Sequence, residues 1–355
     1  MSRPAGEMMR APLPALRVIR AGSALARART GTPMRRYIFR RLLQNAFLLW
    51  VLTSMMFLLF RVLPGDPVSI ILSAELSEES RQSIRDAWGL SRPLWSQYVT
   101  YILNVVHGEF GISFQYQKPV WDVLGDKVVN TLVLMIPSTA AAVVLGILAG
   151  MYFGWRRGSR LERLGVLLPP IIRGLPVFWL GILLLMAFSY GLNWFPNGGM
   201  RSMGTFVTSR WQLFFSWDFL WHLTLPFLCM TITSLPEPML IMRSSLLETK
   251  GEDYLELIEA KGVSEWVVLK HAARGSLLPV MTWVFHMFGY AMASTVVIEI
   301  VFAWPGLGRE IVNAVNAYDY PVIQAAFFLI SAIIISLNLL MDLLYGFLDP
   351  RVVVQ

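Results

Sequence analysis

Five lysines, four histidines and a few acidic or hydroxyl residues inside apolar runs are the side chains here that could do chemistry. A phosphate-cradling loop needs Gly-Lys-Ser/Thr, in which backbone amides wrap the phosphates and the lysine reaches them. Lys118, Lys127, Lys250, Lys261 and Lys270 each follow a residue other than glycine, so nucleotide hydrolysis by that route is excluded. His107, His222, His271 and His286 are scattered, and none belongs to a His-Glu-x-x-His pair that could hold zinc. The single cysteine, Cys229, lies in an apolar run and reads as a small core residue. Asp342 has no partner aspartate in another apolar run, and Ser138, Ser331 and Ser336 read as packing or backbone-bonding serines, which sets intramembrane proteolysis aside. The chain is therefore expected to be no enzyme and to bind no cofactor or metal itself. Glu237, His286, Glu299, Asn338 and Asp342 remain as polar groups in apolar surroundings. Such groups either line a water-filled path or hydrogen-bond between helices. Glu237 is the sharpest case, because Pro236 and Pro238 free backbone carbonyls beside its carboxylate. It would suit a cationic or amino-terminal solute group, with a salt bridge to Arg243 as the alternative.

The elements that must position these residues are apolar helices. Of 355 residues 55% are hydrophobic and only 15% charged, with a mean hydropathy of +0.56. Soluble domains carry about 25% charge, so this is an all-α polytopic membrane protein. The net charge of +7 does not point to nucleic acid, because ten arginines fall within the first 41 residues beside one acid, Glu7. That excess marks a tail at the edge of a membrane. About 20 apolar residues cross a hydrocarbon core, and the runs predict six spans near 42–63, 131–155, 164–192, 223–242, 277–303 and 322–348. Arg61 can snorkel outward from the first span, and Arg173 in the third should face a cavity or a protein partner, or lie shallow enough to snorkel. In the second, Gly146, Gly150 and Gly154 at four-residue spacing predict a close helix contact.

Between the spans, 64–130 holds eight acidic residues against five Lys and Arg, which places it outside the membrane. Within it Ser77 starts a short amphipathic helix ending near Trp88. A Trp- and Phe-rich interval at 193–222 reads as a second external loop. Arg156, Arg157, Arg160 and Arg163 mark a short internal one. Six spans then put both termini inside. Residues 1–33, rich in Arg, Ala and Pro, are expected to be disordered or to lie as a basic arm on anionic lipid. Residues 34–355 form one membrane domain.

The stretch 243–276 is polar and charge-dense between apolar runs, and carries Arg243, Lys250, Lys261, Lys270 and Arg274, so it is expected inside. It reads as two short amphipathic helices broken at Gly262, the second capped by the Ser264 hydroxyl. Trp266, Val267, Leu269, Ala272 and Ala273 offer apolar surface, while Lys270, His271 and Arg274 stay polar. The fourth span, broken at Pro236-Glu237-Pro238, precedes it and the fifth follows it, while the third contains Pro169-Pro170 and Pro176.

The order Asp253-Tyr254, Ala260-Lys261-Gly262, then Ala272, Arg274 and Pro279 resembles the loop that marks ABC importer permeases of the dipeptide, oligopeptide and nickel branch, with Ile258 where the family has a small residue. Other segments extend the resemblance from Met34 nearly to the end. They are Met34-Arg35-Arg36-Tyr37, Arg61 with Pro64-Gly65-Asp66-Pro67, Gly108-Glu109-Phe110-Gly111-Ile112-Ser113 and Pro176-Val177-Phe178-Trp179-Leu180-Gly181. Near the end come Val297-Ile298-Glu299, Trp304-Pro305-Gly306-Leu307-Gly308-Arg309, Asp319-Tyr320-Pro321 and Asp349-Pro350-Arg351. Since family members commonly begin as Met34 does, that residue is an alternative start.

The resemblance implies a type I importer permease fold with six transmembrane helices. It implies a homologous permease as partner, two ATPase subunits that carry ATP and Mg on the inside, and an external substrate-binding protein. It makes Asp253, Tyr254, Ala260, Lys261, Gly262, Ser264, Trp266, His271, Arg274 and Pro279 the ATPase-coupling set. Glu237, His286, Glu299 and Asp342 are the candidates for the translocation path. An ion-gradient-driven transporter or channel is the alternative, which would want inverted repeats and conspicuous mid-membrane charges.

Overall fold

A computed structural model describes residues 34–62, 91–204 and 214–348. The expectations for 1–33, the Ser77 helix, Pro64-Gly65-Asp66-Pro67 and Asp349-Pro350-Arg351 lie outside these residues, as do the side chains of Arg61, His286 and Asp342. Among the described residues every named element is helical. In chain order they are α1 (Met34–Val62), α2 (Leu94–His107), α3 (Val120–Trp155), α4 (Arg160–Gly174), α5 (Val177–Leu184) with a π-helical turn at Leu185–Gly191, and α6 (Trp217–Ser234). They continue with α7 (Pro236–Thr249), α8 (Asp253–Ala260), α9 (Glu265–Val301), α10 (Leu307–Asn316) and α11 (Tyr320–Leu348). Among the described residues four stretches are long and apolar enough to cross a membrane, or six if each of two bent pairs counts as one span.

The boundaries differ from those expected in instructive ways. Helix α3 starts after Pro119, eleven residues before the expected 131, because the polar turns 120–130 continue the helix rather than a loop. The third span is two helices bent by 105°. Leu175, forced out of the helical region by Pro176, is extended at φ −86°, ψ 129°. The expected break at Pro236-Glu237-Pro238 is present but mild: α6 ends at Ser234 and α7 begins at Pro236. Leu235 between them keeps helical dihedrals at φ −67°, ψ −35°, and 217–249 runs as one apolar stretch. Likewise the second amphipathic helix does not end before the fifth span. It is the first part of α9, which continues past Pro279 to Val301 with a 54° bend after Val284.

The chain divides into two compact units, Met1–Phe47 with Leu339–Gln355, and Leu48–Asn338. The described part of the first is the opening of α1, with Phe39, Leu42 and Leu43 exposed, and the last turns of α11. The second holds the bundle. Its core is built on Leu134, Met135, Phe219, Met230, Ile298, Phe302, Trp304 and Val322. The predicted close contact at the glycine stripe is present: α3 lies against α7. A Cβ at Gly146 would meet the Pro238 ring at 2.7 Å, and one at Gly150 would meet the Met239 carbonyl oxygen at 2.5 Å. Backbone cannot yield as a flexible side chain can, so Gly150→Leu should destabilise the purified protein by at least about 2 kcal/mol. A melting temperature equal to wild type would show that α3 and α7 do not rely on this approach.

The bundle end that includes the α3 N-terminus is closed by a knot of polar contacts. The Glu299 carboxylate is fully buried. It accepts from the Thr131 hydroxyl at 2.6 Å and the Arg309 amide at 3.0 Å, and Thr131 in turn accepts from the Leu307 amide at 2.7 Å. The Trp304 indole donates to the Asn130 carbonyl at 3.0 Å, and the Asn130 amide donates to the Pro305 carbonyl at 2.9 Å. Nearby, Asp319 accepts from the Ser113 hydroxyl and from the amides of Phe114 and Gln115. Tyr116 donates to Glu310 at 2.9 Å. Burial, together with that carboxylate, pushes the Tyr116 phenol up to about 12.

Candidate functional site

At the other end of α3 a helical hairpin projects. Helix α8 carries Asp253, Tyr254 and Ala260, and buries only Leu255. The chain reverses at Gly262, whose φ of +71° is left-handed and whose amide donates to the Glu259 carbonyl at 2.9 Å. Ser264 holds the N-cap position of α9, but its hydroxyl makes no capping bond. Only its carbonyl accepts, from Val267 at 2.9 Å and Val268 at 3.2 Å. The expected hydroxyl cap is therefore absent.

The expected apolar face of early α9 divides in two. Val268, Ala272 and Ala273 turn inward, and Ser276 donates to the Thr249 hydroxyl at 2.9 Å, holding α9 to α7. Trp266, at 71% exposure, and Leu257 on α8, at 63%, face outward. Lys261, His271, Arg274 and Pro279 are exposed as well. The hairpin is braced by Trp155, the last residue of α3. Its indole donates to the Glu265 carboxylate, and Lys250 lies 4.2 Å from its ring centre. Trp155 was not among the residues singled out from sequence, although a Trp next to the arginine loop was visible there.

Where α4 breaks from α5, a cavity of about 370 Å³ opens between that break, α7 and the middle of α9. Arg173, Leu175, Glu237, Trp283 and Tyr290 are among its walls. The Arg173 guanidinium meets the Glu237 carboxylate at 2.8 Å. Glu237 therefore does not pair with Arg243, the alternative considered from sequence. Six residues on along a helix turns a side chain to another face, and Arg243 instead pairs with Glu162 of α4. Glu162 had no assigned role, although Ser159-x-x-Glu162 is a helix-start signature and Ser159 does accept from the Glu162 amide at 3.1 Å. Of the four path candidates, Glu237 lines the cavity and Glu299 is in the buried knot. The side chains of His286 and Asp342 lie outside the described residues.

Comparison with known proteins places this architecture. The family described as binding-protein-dependent transport system inner membrane component matches residues 142–354, and the N-terminal family of the same systems matches 34–135. The chain belongs to this family. The importer permeases to which its motifs pointed are thus the ones found. This permease is 36% identical over 320 residues to the glutathione transport system permease protein of Escherichia coli strain K12, across 90% of its own length and 99% of the relative's. It is 37% identical over 323 residues, with the same coverage, to a protein of Brucella suis biovar 1 named as a candidate peptide permease. The permease is an inner membrane component of an ABC importer, not an enzyme, and works with a substrate-binding protein and ATPase partners. Neither match favours a gradient-driven transporter.

Proposed function

We propose that this permease pairs with a homologous permease to form the path by which peptides or similar small solutes, glutathione among them, enter the cell. ATP and Mg reside on two ATPase subunits, and both termini of the permease lie on the ATPase side. The hairpin residues from Asp253 to Pro279 couple it to those subunits. One observation carries the reading: Trp266 and Leu257 stand exposed on a hairpin braced by Trp155 and reversed at Gly262. Outward apolar side chains on a braced, otherwise polar element suit a partner groove. The solute class is supported by the names of the two relatives, and the internal side by the basic residues of 243–276.

Co-purification with tagged ATPase subunits tests it. Wild type should carry the ATPases along, and Trp266→Asp should lose them at least about tenfold, since a buried aromatic anchor contributes about 2 kcal/mol or more to an interface. Equal recovery of the ATPases with the variant would remove the hairpin from the docking site.

A further inference from the structure

We infer that the Arg173–Glu237 pair is a solute-binding element, built to exchange its internal ion pair for the two charged ends of a zwitterionic peptide. The inference rests on the proposed peptide class. Among the described lining residues, Arg173 and Glu237 are the charged ones, and their side chains are 56% and 31% exposed. The remaining wall mixes aromatic and hydroxyl-bearing side chains, Trp283, Tyr290, Ser234 and Ser294 among them, with aliphatic ones such as Leu175 and Met287. The volume, about 370 Å³, falls within the range of small-molecule sites.

The location is deep. Pro238 and Met239 pack on Gly146, and Gly146 lies nine residues before Trp155, roughly 14 Å along α3. A lone charge at such depth is costly, so an element of this kind must remain neutral overall at every stage. Exchange meets that condition. A peptide carboxylate takes the place of Glu237 on Arg173 while its ammonium takes the place of Arg173 on Glu237, and no charge is left unpaired.

Two observations argue against a purely structural pair. Helices α4 and α7 are already tied by Arg243 and Glu162, whose carboxylate is 8% exposed. A second pair is not needed to tie the same helices, and its partly exposed side chains open onto the cavity. Arg173 is also held independently of its partner: it is in the last turn of α4, the helix end that favours a cation.

The test uses the full importer, reconstituted with its ATPases and binding protein, and an equimolar mixture of triglycine, Gly-Glu-Gly and Gly-Lys-Gly read by mass spectrometry after uptake. Because the binding protein is common to all samples, its own preference cancels between variants. Glu237→Gln leaves the site net positive and should raise the Gly-Glu-Gly to Gly-Lys-Gly ratio about tenfold. Arg173→Gln should lower it about tenfold. A structural pair would reduce all three peptides alike, and unchanged ratios overturn the inference while leaving the peptide reading in place. Failure of the wild type to take up any of the three, with ATP hydrolysis running, overturns the peptide reading and the inference with it. If a single variant does not accumulate, Arg173→Gln/Glu237→Gln together leave no lone charge. Triglycine uptake should then fall about tenfold at unchanged ATP hydrolysis, and unchanged uptake overturns the inference.

Discussion

Replacing Glu299 with leucine should destabilise the permease by about 3 kcal/mol or more, the largest loss expected from any single change at the knot. Leucine fills nearly the same space but accepts no hydrogen bond. The Thr131 hydroxyl and the amides of Gly308 and Arg309 all donate to the carboxylate, in a position with no exposure to solvent. Each buried donor left without an acceptor costs about 1–3 kcal/mol. The loss cannot be relieved by movement, because Thr131 also accepts from the Leu307 amide, and a Cβ on Gly308 would lie 2.6 Å from the Val296 backbone. Glu299→Gln should cost less, since one amide oxygen still accepts. Thermal melting of the purified protein, with the fraction extracted intact from membranes, measures both. A Glu299→Leu protein that melts with the wild type would mean that the knot does not hold this end of the bundle together.

This result bears on what the sequence could show. Val297-Ile298-Glu299 and Trp304-Pro305-Gly306-Leu307-Gly308-Arg309 were visible as family-like segments. Their joint role was not, because the donors that complete the knot, Asn130 and Thr131, are about 170 residues away in the chain. The same holds for Ser113 and Asp319, two motif residues that turn out to bond each other. Local signals did better. The glycine stripe on α3, the break at Gly262 and the helical class all follow from composition and spacing. Proline was legible only in part. Before Pro176 the chain leaves the helix, whereas before Pro236 it does not. At the second site Leu235 and Pro238 are packed onto Gly146 of α3, and that contact overrides the local preference. Pairing of the intramembrane charges was equally out of reach. Arg173 was recognised as needing a partner and Glu237 as a site, but only the fold brings the two to 2.8 Å.

Gly262→Pro should lower coupled transport about a hundredfold while leaving the permease in the membrane. Proline fixes φ near −65°, and the backbone here needs +71°. It also removes the amide that donates to Glu259. Together these cost about 3 kcal/mol, which at tenfold per 1.4 kcal/mol makes the docking-competent hairpin about a hundred times rarer. The damage should stay local. No heavy atom lies within 4 Å of where a side chain at Gly262 would begin, and the inward contacts of Val268, Ala272 and Ser276 that hold α9 to the bundle lie beyond the turn. Gly262→Ala separates the two causes, since alanine keeps the amide and meets only the cost of a left-handed φ, about 1 kcal/mol, and should transport at roughly a fifth of the wild-type rate. Uptake and ATP hydrolysis measured on the same reconstituted complexes distinguish a hairpin that transmits motion from one that only decorates the surface. In the first case both variants fall in the order alanine then proline. Wild-type uptake by the proline variant would place coupling elsewhere in the permease.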